Sequence, residues 1–287
     1  MKTPARRWST TLALIAGAVC ACSTAPASTQ ARHPREVVAP EAGAQAQRLR
    51  LPFDAYNFSP AEVMTLDVAE DLLVRDCMHA LGRSWQALPG PAEKESAPPH
   101  RRRYGVIEPR IADVFGYHAP PDRPAVIARK TNDLARTTES PPNVREAAKR
   151  CLGQARTRMS AGAPQADAAF FNRTIFATFD ASQRDVKVTQ AFRTWSTCMA
   201  GEGFHYPDPL AAVTDKRWST ANPSAREIRA AQTDVRCKER TGLVSIWAEA
   251  ETRIQNAAIR AHPKEFQALR AVKMRQLETA RQIIART

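Results

Sequence analysis

The chain twice contains a Cys-Met pair, three further residues and a glycine, in Cys77-Met78-His79-Ala80-Leu81-Gly82 and in Cys198-Met199-Ala200-Gly201-Glu202-Gly203. Upstream of each pattern, apolar residues recur every three to four positions, which is the spacing of an amphipathic helix. Glycine commonly ends a helix because it adopts the left-handed backbone conformation without steric cost. We therefore predict that each pattern forms the last turns of a helix that carries a cysteine near its end.

A second helix in each half of the chain carries one further cysteine. Cys151 and Cys237 each follow a basic residue, and each lies in a segment that opens with a helix-start signal. In both signals a capping residue is followed three positions later by glutamate, the arrangement of a capping box. The two signals are Asn143-Val144-Arg145-Glu146 and Ser224-Ala225-Arg226-Glu227.

These four cysteines favour disulfide bonds, because an even number of cysteines in an exported chain is typical of a disulfide framework. Four cysteines can pair in three ways, and the repeat favours one bridge in each half, Cys77–Cys151 and Cys198–Cys237. A metal site is the rival interpretation, but the chain contains no Cys-x-x-Cys motif. The sequence therefore predicts two disulfides and no metal.

The remaining segments also favour helices. Ser59-Pro60-Ala61-Glu62 is a capping box with proline at the first helical position, and no sustained apolar–polar alternation indicates a strand. The 21 prolines outnumber the 11 glycines and gather in irregular stretches such as residues 86–103. We predict a mainly α fold of helical hairpins stapled by two disulfides, with long Pro-rich loops. It would consist of an N-terminal helical half, residues 51–165, and a C-terminal helical half, residues 166–287.

The N-terminus of the sequence indicates export. Lys2, Arg6 and Arg7 precede a short apolar run, which is the organisation of a signal peptide. The run ends in Val19-Cys20-Ala21-Cys22, which resembles the lipobox of bacterial lipoproteins. We therefore predict a signal peptide at residues 1–21.

Lipid anchoring follows from this interpretation. We predict that Cys22 is acylated and that residues 22–50, which are rich in Ala, Pro, Ser, Thr and Gln, form a lipidated N-terminus and a flexible tether. The protein would then contact membrane lipid at the extracytoplasmic face of the cell membrane. The alternative is cleavage after Ala27, which would give a secreted protein.

The net charge of the chain is strongly positive, at +13, and loss of three cations with the signal peptide would leave +10. Such a charge is typical of proteins that bind nucleic acid, but an exported chain does not meet nucleic acid, so we predict no such partner. Anionic lipids and anionic wall polymers are the alternatives outside the cytoplasm. Because Arg101, Arg102 and Arg103 follow a Pro-rich stretch, we predict that they are exposed and contact a polyanion.

Motifs for catalysis and cofactor binding are absent from the sequence. It contains no Gly-x-Ser-x-Gly, no phosphate-binding loop, no Rossmann glycine pattern and no His-Glu-x-x-His. We therefore predict no catalytic residues and no cofactor. Tyr117-His118 and His205-Tyr206 each join an aromatic ring to a histidine, so they either line a ligand groove or cover the disulfides. Glu70 and Asp71 point to different sides of a helix, and we expect them on a solvated face.

Six motifs stand out around the cysteines: Cys77-Met78, Arg103-Tyr104-Gly105-Val106, Phe115-Gly116-Tyr117-His118, Trp195-Ser196-x-Cys198-Met199, Gly203-Phe204-His205-Tyr206-Pro207 and Asp234-Val235-x-Cys237-Lys238. In these motifs the chain resembles a family of uncharacterised exported bacterial proteins, many of them apparent lipoproteins. The resemblance covers most of residues 60–262. It implies the compartment and the cysteine framework, but no activity and no functional residues.

On these grounds we expect a non-enzymatic binding or scaffolding component of the cell envelope, with another envelope protein as its partner. One alternative is a module that binds an anionic wall polymer or a small ligand, and another is an enzyme of unrecognised type. A flat exposed apolar patch in the structure would favour a protein partner, and an apolar groove with converging charges would favour a ligand. A cluster of groups with strongly perturbed pKa values would favour an enzyme.

Overall fold

The computed structural model describes residues 38–287 of the chain. These residues contain eleven α-helices, three short 3-10 helices and no strand. The predicted mainly α fold is therefore confirmed. Six of the eleven helices begin with proline, whose fixed φ suits the first helical position. The α-helices are α1 (Ala44–Arg48), α2 (Pro60–Ala80), α3 (Pro109–Phe115), α4 (Pro124–Glu139), α5 (Pro142–Met159), α6 (Ala168–Gln183), α7 (Val186–Gly201), α8 (Pro209–Val213), α9 (Ala225–Thr241), α10 (Leu243–Ala261) and α11 (Pro263–Ala285). The 3-10 helices are Pro52–Ala55, Glu93–Glu95 and Lys216–Trp218.

Both Cys-Met patterns form the last turns of a helix, as predicted. Gly82 and Gly203 follow α2 and α7 in the left-handed conformation, with φ of +67° and +81°. In each case the N–H of the next residue donates to the carbonyl of the methionine, at 2.9 Å after α2 and 3.0 Å after α7. This bond is that of the Schellman motif, and the side chains of Met78 and Met199 are fully buried beside it. The sequence repeat is thus a repeat of local structure.

The predicted disulfide pairing is confirmed. Cys77–Cys151 joins α2 to α5 across 74 residues, and Cys198–Cys237 joins α7 to α9 across 39 residues. The helices of each pair also pack against one another. Because other helices intervene in the chain, each bridge fixes two packed helices that are not consecutive.

The two predicted halves do not form separate units, because each contributes to the core of the other. The largest hydrophobic cluster packs α7, α9 and α10 around Trp195, and it includes Tyr104 from the N-terminal half. A second cluster lies between α2 and α5 and includes Ala280 of α11. A third cluster joins Phe53 to Phe266. The described part of the chain is accordingly one compact unit.

The predicted tether is shorter than its composition suggests. Within residues 38–50, Ala46 is fully buried, and the N–H of Gly43 donates to Oε1 of Glu108 at 2.6 Å. Small residues are frequent in flexible linkers, but they also let a chain pack closely against a folded surface. The segment that packs therefore begins before residue 51. The predicted signal peptide, Cys22 and the rest of the tether lie outside the described residues.

The three arginines that we predicted to contact a polyanion are engaged inside the fold, so their predicted exposure is wrong. Arg101 donates to both carboxylate oxygens of Glu108, at 2.6 and 3.1 Å, and only 8% of its surface is exposed. Arg102 donates to two backbone carbonyls that follow α3, and Arg103 pairs with the buried carboxylate of Glu251. The loop that carries the three arginines packs against the core, because acceptors there bind the arginine side chains.

We expect Arg101→Gln to lower the free energy of unfolding by about 2–3 kcal/mol, because it leaves the buried carboxylate of Glu108 without its cation. The decrease in the free energy of unfolding should be smaller than for a buried carboxylate with no partner at all, since the N–H of Gly43 still donates to Glu108. Urea-induced unfolding followed by circular dichroism measures the effect. Arg150→Gln is the matched control, because Arg150 is exposed on α5. Equal stability of the two variants would contradict the buried role of Arg101.

Candidate functional site

The aromatic–histidine pairs of the sequence belong to the core and its edge. Tyr117 is buried and stacks on Trp218, with the ring centroids 6.0 Å apart. Tyr206 is also buried, and its hydroxyl donates to Oδ2 of Asp215 at 2.8 Å. His205 is exposed. Both tyrosine rings therefore pack inside the fold, which does not favour the alternative of a ligand groove lined by the two pairs.

His118 forms an ion pair with a fully buried carboxylate. Its Nδ1 lies 2.7 Å from Oε1 of Glu227, and its Nε2 lies 2.7 Å from the carbonyl oxygen of Thr220. The hydrogen bonds to the Thr220 carbonyl and to Glu227 favour the imidazolium form and so raise the pKa of His118. Gly116 makes room for this pair, because a Cβ there would lie 2.7 Å from Oε1 of Glu227 and its φ is +55°.

Asp234 and Lys238 form a second buried pair, on α9. Nζ of Lys238 donates to Oδ2 of Asp234 at 2.8 Å and to the carbonyl of Val106 at 2.9 Å, while Nε1 of Trp195 donates to Oδ1 of Asp234. Burial raises the pKa of Asp234 and lowers the pKa of Lys238, since it disfavours both charged forms. Gly105 permits the close approach, because a Cβ there would lie 2.9 Å from Nζ. The motifs that carried the family resemblance thus build a polar network inside the fold.

An open groove with a volume of about 430 Å³ lies between α2, α4 and α5. We call it the α4 groove. Its apolar centre is formed by Val74 of α2, Leu152 of α5 and the ring of Trp85, which follows α2. Charged side chains from all three helices surround this centre. The groove is therefore the candidate functional site.

Helix α4 covers the groove with few apolar contacts of its own. Among its 16 residues only Val126 is buried. Arg129 donates to three backbone carbonyls of α2 and the loop after it. Arg136 pairs with Asp71 at 2.8 Å and lies 4.3 Å from the centre of the Trp85 ring. The position of α4 thus depends largely on two arginine side chains.

Asp71 does not lie on a solvated face, contrary to the prediction. Its carboxylate accepts from Nε1 of Trp85 at 3.1 Å and from the N–H of Leu88 at 2.7 Å, in addition to its pairing with Arg136. One carboxylate thus connects α2, the following loop and α4. Because these bonds are internal, Asp71 and Arg136 shape the groove and are not available to a ligand.

Four other charged groups of the groove have at most one internal partner. Within the described chain, the side chain of Asp67 makes no hydrogen bond, and Glu70 contacts only Arg156, at 3.4 Å. Burial raises the pKa of both carboxyls, although Asp67 still reaches solvent at the mouth of the groove. On α5, Arg145 donates only to a backbone carbonyl, and Lys149 has no hydrogen-bond or ion-pair partner in the same part of the chain.

Asp67 and Glu70 lie at one end of the groove, beside Arg129 and Arg156, and Arg145 and Lys149 lie at the other end, because α5 runs antiparallel to α2. The Cys77–Cys151 bridge and the contact between Glu70 and Arg156 fix this direction. Arg156 marks the level of Glu70, and Lys149 and Arg145 lie seven and eleven residues away along α5, about 10 Å and about 16 Å at 1.5 Å per residue. The apolar centre occupies the space between the two ends.

No pattern in the sequence indicates this groove. Its polar groups come from three helices, and no short motif brings them together. The one usable signal is the spacing of Arg129 and Arg136, which places two cations on the same face of α4. Such a pair is ordinary on a solvated helix, so it did not indicate a site.

Comparison with known proteins gives no further guide, since no family model, no curated protein and no solved structure matches the chain. The family resemblance of the cysteine motifs therefore stays a prediction. Within residues 38–287, no helix is both long and apolar enough to cross a membrane. The same residues contain no group of three or more His, Cys, Asp or Glu placed to hold a metal ion.

Proposed function

We propose that this protein is a non-enzymatic binding component of a bacterial cell envelope, anchored at the extracytoplasmic face by acylation of Cys22. Its ligand is a small molecule that occupies the α4 groove. The two disulfides support an oxidising compartment outside the cytoplasm. The lipid anchor rests on the lipobox-like stretch at residues 19–22.

One observation carries the binding proposal: an apolar centre lies between available charges of opposite sign. A volume of about 430 Å³ is within the usual range for small-molecule sites, roughly 300–1,000 Å³. Val74 and Leu152 supply apolar contact area, while Asp67 and Lys149 supply charges that orient a ligand. This combination of an apolar lining and a few polar groups is typical of binding pockets.

Docking of an envelope protein is a second candidate function. Phe176 on α6 is 70% exposed, and Val186 at the start of α7 is 82% exposed. Exposed apolar side chains of this size mark protein contacts when they form a contiguous patch of several hundred Å². Two single side chains are a weaker basis for function than the groove, so the groove carries the main proposal.

A photoreactive amino acid at Thr137 tests the proposed function, because Thr137 lines the groove. We expect irradiation of cells that produce the protein to trap an adduct of low mass, measured on the purified protein by intact mass spectrometry. Thr131 is the matched control, since it is exposed on the same helix and does not line the groove. Absence of an adduct at Thr137 would contradict a groove ligand, and a protein-sized adduct at Thr137 would favour docking instead.

A further inference from the structure

The ring of His118 connects three segments of the chain that are distant in sequence. His118 lies in the turn after α3, and its Nδ1 faces the carboxylate of Glu227 in the first turn of α9, at 2.7 Å. Its Nε2 faces the carbonyl oxygen of Thr220, also at 2.7 Å. Thr220 belongs to the loop of residues 219–223, which leads into α9.

This loop has few other attachments. Its remaining hydrogen bonds in the described part of the chain join neighbours: the N–H of Ser219 donates to Lys216, the N–H of Thr220 donates to Trp218, and the Thr220 hydroxyl donates to Asn222. Residues 219–222 are exposed. Within residues 38–287, the bond from His118 is therefore the one hydrogen bond that ties the loop to a remote segment.

The two bonds of the ring require its protonated form. Oε1 of Glu227 also accepts from the N–H of Tyr117 at 2.8 Å, so the ring nitrogens face a carboxylate oxygen and a backbone carbonyl, which are both acceptors. A neutral imidazole has one N–H, whereas the imidazolium form has two. Both bonds can thus exist together only while His118 is an imidazolium.

Loss of one proton must break one of the two bonds, and burial decides which. Glu227 is fully buried, so a ring lone pair in front of it would leave its carboxylate without a donor from His118 in a place without water. Thr220 is exposed, and its carbonyl can accept from water instead. Nδ1 therefore keeps its proton, and Nε2 loses its proton and its bond to the loop.

Two charged side chains act on the ring. Glu227 of α9 favours the imidazolium, and Arg102, which donates to the carbonyl of His118, opposes it. Residues 219–223 carry no charge. The hydrogen bonds to Thr220 and Glu227 outweigh the repulsion, so the pKa of His118 is raised, and the bond to the loop is lost as the pH rises through this value.

We infer that His118 is a pH-sensitive latch, which holds residues 219–223 against the turn after α3 while the ring is protonated and releases them when Nε2 loses its proton. Trp218 stays packed on Tyr117 before the loop, and Ser224 caps α9 after it, so the movement is confined to the loop. The latch lies between α3 and α9, away from the α4 groove, and the inference is independent of the proposed function.

Nuclear magnetic resonance of the full, disulfide-bonded protein tests the latch. The methyl groups of Thr220 and Ala221 do not exchange with water, so their order parameters can be measured at any pH. We expect the Cε1–H signal of His118 to titrate with a midpoint above the ordinary value of 6.5, and both methyl order parameters to fall with the same midpoint. The methyl group of Ala212, which is fully buried, should keep its order throughout.

Two variants assign the effect to the ring and its acid. His118→Gln should leave the loop mobile at every pH, because an amide has no proton to lose in this range. Glu227→Gln should move the midpoint to lower pH, since it removes the charge that favours the imidazolium. His205→Gln is the matched control, because His205 is exposed and makes no hydrogen bond in the described chain, and it should leave the transition unchanged.

The wild-type titration is decisive even if a variant does not fold. Order parameters of Thr220 and Ala221 that stay constant while His118 titrates would overturn the inference, because the loop would then not depend on the proton. A midpoint of His118 at or below 6.5 would overturn it as well, since the two acceptors would then not stabilise the imidazolium.

Discussion

Lys238→Met is expected to lower the free energy of unfolding by about 3–5 kcal/mol at neutral pH. Lys238 and Asp234 are both buried, and the ammonium group of Lys238 is the cation that faces the carboxylate. Methionine has a similar volume but donates no hydrogen bond, so the carboxylate would lose its counter-ion in a place without water. Urea unfolding at pH 7 measures the loss.

The loss caused by Lys238→Met should be smaller at acidic pH. Burial holds the pKa of Asp234 above its ordinary value of 3.8, and removal of the cation raises it further. A carboxyl whose pKa is raised in the folded state stabilises the fold fully below its unfolded-state pKa, and this contribution is lost as the pH rises through the folded-state pKa. The variant should therefore approach the wild-type stability when both are unfolded near pH 4 instead of pH 7.

A double variant, Asp234→Asn with Lys238→Met, is the matched control. It removes both charges and leaves an amide oxygen that can still accept from Nε1 of Trp195. We expect it to be more stable at pH 7 than Lys238→Met alone. A double variant that is as unstable as the single one would show that packing, and not the unpaired charge, causes the loss.

Removal of either disulfide should produce the second large effect. The chain-entropy relation gives roughly 4 kcal/mol for closed loops of 39 and 74 residues, as an upper figure. We expect a loss of this order for the pair Cys77→Ala and Cys151→Ala, and for the pair Cys198→Ala and Cys237→Ala. Because both halves share hydrophobic clusters, each variant should unfold in one transition, measured by differential scanning calorimetry.

The two bridge variants serve as controls for one another. If the halves were independent, removal of one bridge would lower the midpoint temperature of one unfolding transition and leave a second transition at the wild-type temperature. Such a result would contradict the shared core that joins Tyr104 to α7 and Ala280 to α2.

Local chemistry made part of the fold predictable from the sequence. The Schellman turns at Gly82 and Gly203 depend on residues within one helical turn, and the repeat around them selected the correct disulfide pairing. The capping box at Ser59 likewise marks the start of α2. The start predicted at Asn143 is less accurate, because α5 begins at Pro142, which suits the first helical position.

The remote contacts could not be predicted in the same way. A run of arginines after a Pro-rich stretch looks the same whether it is solvated or buried, and the acid that pairs with Arg103 lies 148 residues further along the chain. The α4 groove poses the same difficulty, since Arg136 and Asp71 are 65 residues apart. Which charges pair and which remain available is decided by tertiary contacts, which no local pattern specifies.

The packing of α11 on α2 has a consequence for the order of folding. Ala280 completes the cluster beside α2, and Nζ of Lys273 lies 2.9 Å from Oε2 of Glu62. The chain is made from its N-terminus, so the apolar face of α2 exists before α11 is present to cover it. Contacts between residues so distant in sequence also form slowly, because a long loop must close first. We therefore expect the N-terminal core to be among the last parts of this protein to form.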